Sequence, residues 1–170
     1  MRVLLISGIL DERFGSVVRS LTVSLAAEGG NVVAETNPAA IAASVALGAR
    51  RVDLLVATNV TPESFAAYTH ALASRVVSGP VPLCVRLALG PCAAPAPSAL
   101  PLALLASTDP HSIRALALEY APRLRINAVV AVPAAISDRA LEDEIAAAVL
   151  LLAQSPSMTG VTICLDTAGR

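Results

Sequence analysis

Residues 113–132 read IRALALEYAPRLRINAVVAV, and their pattern is the clearest indication of the fold. Its first half has the apolar spacing of a helix, and its end, RINAVVAV, is an apolar run with the length and composition of a buried strand. Similar apolar runs recur along the chain, and segments with helical spacing separate them. This alternation of strand and helix predicts a parallel sheet with helices on both faces.

The six predicted strands are, in chain order, RVLLIS, NVVAET, RVDLLVATN, VPLCVRLAL, RINAVVAV and GVTICLDT. The predicted helices cover residues 14–28, 38–49, 62–77, 109–120 and 139–153. Thr61 suits a helix cap and Pro62 a first helical turn. Thr108 and Asp109 are the predicted cap of the fourth helix, and Gly29 closes the first. The expected fold class is therefore an α/β, Rossmann-like, doubly wound parallel sheet of about six strands, in one domain spanning 1–170.

The composition favours a core of small aliphatic side chains. Hydrophobic residues make up 55% of the 170 residues, whereas aromatic residues make up only 2%. The formal net charge of -1 does not steer the chain toward nucleic acid or an anionic membrane. The mean hydropathy of +0.70 is high, yet the apolar runs are too short to span a bilayer. We therefore expect apolar surface to be covered in an oligomer, with neither nucleic acid nor membrane as a partner.

The cysteines and histidines do not have the spacing of a metal site. Cys84, Cys92 and Cys164 are an odd set, and we expect reduced thiols that behave as small hydrophobic residues. His70 and His111 are far apart in sequence and lack ligand partners at suitable spacing. The first residues, MRVLLISG, indicate a strand rather than a signal peptide. These features predict a cytoplasmic protein without a metal.

Four segments resemble the short-chain dehydrogenase/reductase family along nearly the whole chain. VLLISGILDERFGSVVRSLTVSLAAEGGNVV is similar to that family's first strand, glycine turn and first helix, and VDLLVATNV to the strand that ends in its Asn-Asn-Ala-Gly turn. ALALEYAPRLRINAVVAV resembles the catalytic helix and the following strand. EIAAAVLLLAQSPSMTGVTICLDTAG resembles the last helix and strand, with Thr159, Gly160 and Asp166 as the most specific matches. The resemblance implies a sheet that binds a nicotinamide dinucleotide.

The catalytic residues that the resemblance implies are missing from this chain. The family uses a Tyr as general acid and base, a Lys four residues later that lowers the pKa of that Tyr, a Ser and usually an Asn. Ungapped alignment places the Tyr position at Leu102 and the Lys position at Ala106. All twelve basic residues are Arg, so no alignment supplies a lysine. The Ser position falls near Ala88 and Leu89, and residues 61–77 contain no Asn. We therefore predict no catalytic residues.

The nucleotide-binding turn is also incomplete. The family's Gly-x-x-x-Gly-x-Gly pattern lets backbone N–H groups and a helix N-terminus approach a diphosphate. In SGILDERFGS only Gly8 and Gly15 remain, and Asp11 and Glu12 place carboxylates where the anion would lie. Glu35 stands where an acid would bind a ribose hydroxyl. Gly8, Gly15 and Glu35 are the candidate cofactor-binding residues, and we predict that they are vestigial. We therefore expect no cofactor, and if one binds, we expect NAD.

The spacing of the elements predicts that the chain is shortened relative to the family. About fifteen residues separate NVVAET from RVDLLVATN, which leaves no room for the strand and helix that the family places there. Only a few residues separate RINAVVAV from the last helix, too few for the family's substrate lid. The predicted losses thus affect cofactor, catalysis and substrate together.

The resemblance also implies two assembly surfaces. In the family, the helices that correspond to 62–77 and 109–120 pair with their copies across a two-fold axis. The helix at 139–153 with the strand at 160–167 forms the second interface. Both regions keep small or apolar residues here. The sequence therefore predicts a non-catalytic subunit that forms a homo-oligomer, or a hetero-oligomer with an active paralogue.

Two alternatives stay open at this point. One is an NAD(P)-dependent oxidoreductase with an atypical active site, which would bind NAD through Glu35 and Gly8 and use Arg114 or Tyr120 as catalytic groups. The other is a small-molecule binding module that uses the crevice at the strand carboxyl ends, with the Pro-rich loop Gly90–Pro101 at its rim.

Overall fold

A computed structural model of the chain describes residues 1–7, 12–35, 52–76, 80–89, 112–131 and 139–165. The predicted helix at 38–49 and the loop Gly90–Pro101 lie outside the described residues. Within the described residues, none of the helices is long and apolar enough to cross a membrane.

Six strands of the described residues form one parallel sheet. They are β1 (Arg2–Ser7), β2 (Asn31–Glu35), β3 (Leu54–Thr58), β4 (Leu83–Leu89), β5 (Arg125–Ala131) and β6 (Thr162–Leu165). The order across the sheet is β2-β1-β3-β4-β5-β6, and all neighbours are parallel. The chain moves outward from β1 in both directions, so the switch point lies between β1 and β3. The predicted fold class is confirmed.

The helices between these strands are α1 (Glu12–Ala27), α2 (Pro62–Ala73), α3 (Ile113–Tyr120) and α4 (Arg139–Gln154). Gly29 has a φ of 76° and its N–H donates to the carbonyl of Ala26, which confirms the predicted end of α1. Thr61 is the N-cap of α2, as predicted, because its side chain accepts from the Ser64 N–H, and proline follows in the first turn.

Two predicted helix boundaries are wrong. α2 ends at Ala73 rather than near residue 77, because the Arg75 N–H turns back to the carbonyl of Leu72. The cap of α3 is Ser112 rather than Thr108 or Asp109, since the Ser112 side chain accepts from the Ala115 N–H at 3.2 Å. Both errors arise because serines and turns near a helix end offer competing caps that residue type alone does not rank.

Each face of the sheet carries its own core. Under α1 and α4 the buried residues of the described chain are aliphatic, and they include Leu21, Leu25 and Val149. Under α2 and α3 the core includes Phe65, together with Tyr68 and Tyr120. The strands supply alternate residues to the two faces, which explains why they read as continuous apolar runs.

The cysteines do not behave as a uniform set. Cys84 is a free, fully buried thiol in the core under α2 and α3, and burial raises the pKa of that thiol to about 12. Cys164 is disulfide-bonded, so the prediction that all three cysteines are reduced is wrong. The physical reason is that β6 is an edge strand on which Cys164 is exposed, so this residue is not enclosed as a small hydrophobic core residue. Cys92 lies outside the described residues.

Candidate functional site

The candidate site lies at the carboxyl ends of β1, β3 and β4, beside the switch point of the sheet. Thr58 is fully buried, and its hydroxyl donates to the carbonyl of Ile6 at 3.1 Å. Asn59 follows with a φ of 51°, and its N–H donates to the carbonyl of Leu87. The resemblance places the family's Asn-Asn-Ala-Gly turn at this position. In this chain, the polar groups of the turn are engaged with the backbone of neighbouring strands, which suits a structural turn.

Arg86 is a charged residue near this edge that the sequence analysis missed. It lies on β4, next to the apolar positions that face the two cores, and is half-buried. Its guanidinium donates from Nη2 to the carbonyl of Val60 at 3.3 Å, so it links β4 to the turn after β3. The sequence did contain a signal for this residue. Both faces of a central parallel strand are covered, so an arginine inside the apolar run VPLCVRLAL must lie on a buried face.

Two of the three predicted cofactor residues lie in the described part of the chain. Gly15 lies in the first turn of α1, and a Cβ added there would meet only the Arg19 Nη1 at 3.7 Å. Its helical backbone therefore does not require glycine. Glu35 ends β2, where its Cα pairs with Ile6 of β1. Gly8 lies outside the described residues.

At the described positions that correspond to the family's catalytic serine, neither side chain carries a hydroxyl. Ala88 and Leu89 end β4, at the place where the resemblance expects a serine. Leu102 and Ala106 lie outside the described residues. Within the part of the chain that the structure describes, no group of three or more His, Cys, Asp or Glu residues could hold a metal ion.

Tyr120, the catalytic group of the alternative hypothesis, lies away from this edge. It is in the last turn of α3, and its carbonyl accepts from the Leu124 N–H just before β5 begins. It is therefore near the amino edge of the sheet. The side chain is 6% exposed, and its Oη lies 3.1 Å from Nδ1 of His70. Burial, and next the hydrogen bond that its hydroxyl donates to Glu119, raise the pKa of Tyr120. That direction makes the phenol a poorer proton donor at neutral pH.

Arg114, the other catalytic group of the alternative hypothesis, lies beside the turn that precedes β6. A Cβ on Gly160 would be 4.0 Å from the Cα of Arg114 and 3.5 Å from the Cβ of Ala117. Gly160 has a φ of 73°, and its N–H donates to the carbonyl of Ile126 at 2.7 Å. The Thr159 hydroxyl accepts from the Ile126 N–H. The Thr159-Gly160 pair thus fixes the close approach of α3 to the start of β6.

Two cavities lined by described residues lie elsewhere. One, of about 400 Å³, is a groove between α1 and α4 that includes Arg19 and Arg139. The other, of about 250 Å³, is at the amino edge and includes Asp53 and Arg125. Neither cavity includes Thr58, so neither coincides with the crevice where the resemblance places the cofactor.

Of the comparisons with known proteins, the one with solved structures bears on the fold. No protein-family profile matches the chain, and no curated protein matches it in sequence. Among solved structures, a short-chain dehydrogenase from Oenococcus oeni is 14% identical, with a TM-score of 0.55 over 96% of this chain and 95% of that chain. The ligand-free aldohexose dehydrogenase of Thermoplasma acidophilum is 16% identical, with a TM-score of 0.57 over 97% of this chain and 92% of that chain.

A third structure, the alternative dihydrofolate reductase FolM of Brucella canis complexed with NADP, is 16% identical. Its TM-score is 0.58 over 96% of this chain and 92% of that chain. At this identity the likeness establishes the architecture: the chain has the fold of the short-chain dehydrogenase structures over nearly its whole length. The predicted shortening and loss of motifs stay predictions.

Proposed function

We propose that the chain is a short-chain dehydrogenase/reductase-like protein without catalytic activity, and that it serves as a subunit assembled with itself or with a catalytically active paralogue. The observation that carries this proposal is the absence of lysine from all 170 residues. Without it, a catalytic tyrosine would keep a pKa near 10 and would be a poor proton shuttle at neutral pH. The proposed subunit binds no cofactor.

The environments of the two tyrosines support the loss of catalysis. Tyr68 and Tyr120 are both buried in the core under α2 and α3. Burial raises the pKa of each. Proton transfer at neutral pH requires a shift in the opposite direction. Both side chains instead attach the two helices to the sheet.

The outer surface of α2 and α3 supports the proposed assembly. We define the assembly face as Ala67, His70, Ala71 and Leu118. Leu118 is 73% exposed, although it is a large apolar residue. On α2, Ala67 is exposed and Ala71 is half-buried, and small side chains let helices approach closely. Exposed leucine and alanine side chains are the kind of surface that association would cover.

The charges around α2 favour a second copy of the chain as the occupant of this face. Glu63 lies in the first turn of α2, and Arg75 follows its last turn. If a two-fold axis places α2 antiparallel to its copy, each Glu63 lies near the end of the partner's α2 that carries Arg75. Complementary charges of this kind set orientation across an interface. This arrangement is self-complementary, as a two-fold interface requires.

The proposal is tested by measuring assembly of the full chain by sedimentation velocity over a range of concentrations. We expect an oligomer, and we expect Leu118→Glu to weaken its association at least about tenfold, because two charges would be buried without partners. Val23→Glu is the matched control, since Val23 is 70% exposed on α1, outside the assembly face. A wild-type chain that is monomeric and also fails to co-purify with a paralogue from its native host would refute the proposal.

The second proposed surface, α4 with β6, can be examined in the same way. Leu151 of α4 is 52% exposed, and β6 is an edge of the described sheet. Leu151→Glu should weaken a higher assembly built on this surface and leave the α2–α3 contact intact. If Leu151→Glu abolished all association and Leu118→Glu did not, the principal interface would lie on α4.

The fold favours one competing function, an NAD(P)-dependent oxidoreductase with an atypical active site, because the matching structures include dehydrogenases. Their activity is a property of those proteins. Of the groups that such a site would use here, Glu35 ends β2, whereas Arg114 and Tyr120 lie on α3. Turnover of nicotinamide cofactor by the purified chain, lost in Tyr120→Phe, would favour the oxidoreductase over the subunit.

A further inference from the structure

Cys164 forms a disulfide, and the cysteine content of the chain identifies its partner. The chain has three cysteines. Cys84 is a free, fully buried thiol, and Cys164 is disulfide-bonded. Within a single chain, Cys92 is then the one cysteine left to supply the second sulfur, although it lies outside the described residues. We infer that a Cys92–Cys164 disulfide fastens the edge strand β6, so that the redox state of the chain controls how firmly this strand is held.

The described strands place Cys164 within reach of Cys92. Cys164 is opposite Val130 of β5, and Val130 is opposite Ala88 of β4. Neighbouring strands are about 4.8 Å apart, so Ala88 and Cys164 are separated by about 10 Å across β5. Cys92 is the third residue after Leu89, which ends β4, and three residues span at most about 10 Å. Because a disulfide joins Cα atoms that are about 5.5 Å apart, the chain is long enough to close this bond.

Cys164 lies on the side of β6 that the core does not hold. Its neighbours Ile163 and Leu165 are partly buried and pack against the core under α1 and α4. Successive side chains of a strand point to opposite faces, so Cys164 points away from that core, and it is exposed. Thiols in solution can therefore reach a bond at Cys164, whereas they cannot reach the fully buried Cys84.

The two ends of β6 are held in different ways. Just before the strand, the Gly160 N–H donates to the carbonyl of Ile126 at 2.7 Å. The Val161 N–H donates to Oδ1 of Asn127 at 3.0 Å. Toward its other end, β6 has Cys164 as the third of its four residues, and in the described sheet it pairs with β5 alone. The disulfide thus anchors the end of the strand that these hydrogen bonds do not reach, and reduction should loosen that end first.

Formation and reduction of the bond are two-electron thiol–disulfide exchanges. Oxidation removes one hydrogen from each cysteine thiol and forms one S–S bond, while glutathione disulfide is reduced to two glutathione thiols. Dithiothreitol reverses the reaction, because it is oxidised to its cyclic disulfide and returns both hydrogens to the cysteines. A thiol–disulfide couple in solution is therefore the only co-reactant that the exchange needs.

Mass spectrometry of the full chain tests the pairing. The chain is equilibrated with glutathione disulfide, denatured, alkylated with iodoacetamide and digested. We expect alkylation at Cys84 alone, together with a cross-linked pair of peptides that contain Cys92 and Cys164. After treatment with dithiothreitol, all three cysteines should be alkylated. Alkylation of Cys92 or Cys164 without reductant, stable glutathione adducts, or a covalent dimer would overturn the inference.

Thermal melting and hydrogen exchange test what the bond holds. Dithiothreitol should lower the melting temperature of the oxidised chain by about 5–10 °C. It should also speed exchange in peptides that cover residues 162–165 by at least about tenfold, and by more than in peptides from β1. Cys164→Ser should melt as the reduced wild type does and should not respond to dithiothreitol. Cys84→Ala is the matched control and should keep the response.

The results do not depend on the proposed function. An unchanged melting temperature and unchanged exchange of β6 after complete reduction would show that the bond does not hold the strand. A response to dithiothreitol that persists in Cys164→Ser, or is lost in Cys84→Ala, would contradict the inference as well. If Cys164→Ser fails to fold, the reduced wild type supplies the comparison. Self-association enters none of these measurements, so the proposed subunit role can fail while this inference holds, and the reverse.

Discussion

The helical layers on the two faces of the sheet are built from different side chains. Under α1 and α4 the buried core of the described residues is entirely aliphatic. Under α2 and α3 it holds Phe65, Tyr68 and Tyr120, and a polar contact joins Tyr120 to His70. The side chains that could perform acid–base chemistry thus lie in one layer. There they connect helices to each other and to the sheet, whereas the described core of the other layer is entirely aliphatic.

The largest predicted effect concerns the aromatic anchor of the second layer. Phe65 is fully buried, so Phe65→Ala should lower the free energy of unfolding by about 3–5 kcal/mol through lost burial and a cavity. Leu21→Ala, the corresponding change in the aliphatic layer, should cost about 2–4 kcal/mol, because the deleted side chain is smaller. Urea denaturation measures both. Val23→Ala, on the surface of α1, should change stability by less than about 0.5 kcal/mol. Equal effects of Phe65→Ala and Val23→Ala would refute this account of the core.

A smaller effect is expected at the amino edge of the sheet. The fully buried Asn127 donates to the carbonyl of Met158 and accepts from the Val161 N–H, both at 3.0 Å. Asn127→Ala leaves these two backbone groups without their partner, so we expect a loss of about 1–3 kcal/mol in urea denaturation. Asn31→Ala is the control, since Asn31 is exposed at the start of β2. A loss no greater than that of the control would mean that water replaces the amide.

The fold class was predictable from the sequence, because six apolar runs separated by helical spacing leave few arrangements other than a parallel sheet. The caps at Thr61 and Gly29 were predictable for the same local reason. Arg86 was overlooked because its role depends on a neighbour in space, the carbonyl of Val60, which lies 26 residues away along the chain. The contact of His70 with Tyr120 spans 50 residues and has no local signal. Long-range polar contacts of this kind require the structure.

The buried thiol of the second layer predicts how stability depends on alkaline pH. Burial raises the pKa of Cys84 from 9.0 to about 12, so the unfolded chain loses this proton first as the pH rises. The contribution of Cys84 is fully present below pH 9 and is lost at about 1.4 kcal/mol per pH unit above it, as the pH rises toward the folded pKa.

Denaturation of the wild type and Cys84→Ala between about pH 8 and about pH 10 measures this slope, since Tyr68 and Tyr120 begin to contribute only at higher pH. Identical slopes for the two proteins would contradict the buried, protonated state of the thiol. The aliphatic layer contains no such group among its described core residues.

The smallest effect contrasts two glycines. Gly15→Ala should raise stability by about 0.5–1 kcal/mol, because the position is helical and has room for a methyl group. Gly160→Ala should lower it by about 1–2 kcal/mol, because its φ of 73° disfavours a side chain and Ala117 lies close. Thermal melting of both variants is sufficient. Destabilisation by Gly15→Ala would indicate that a glycine is required there, as a phosphate-binding turn would demand.

Calorimetric titration of the full chain with NADH and NADPH measures whether the chain binds a dinucleotide, and it needs no assumption about a substrate. The account predicts no heat of binding and no rise in melting temperature at millimolar cofactor. Saturable binding of either dinucleotide with a dissociation constant below about 100 μM would contradict it.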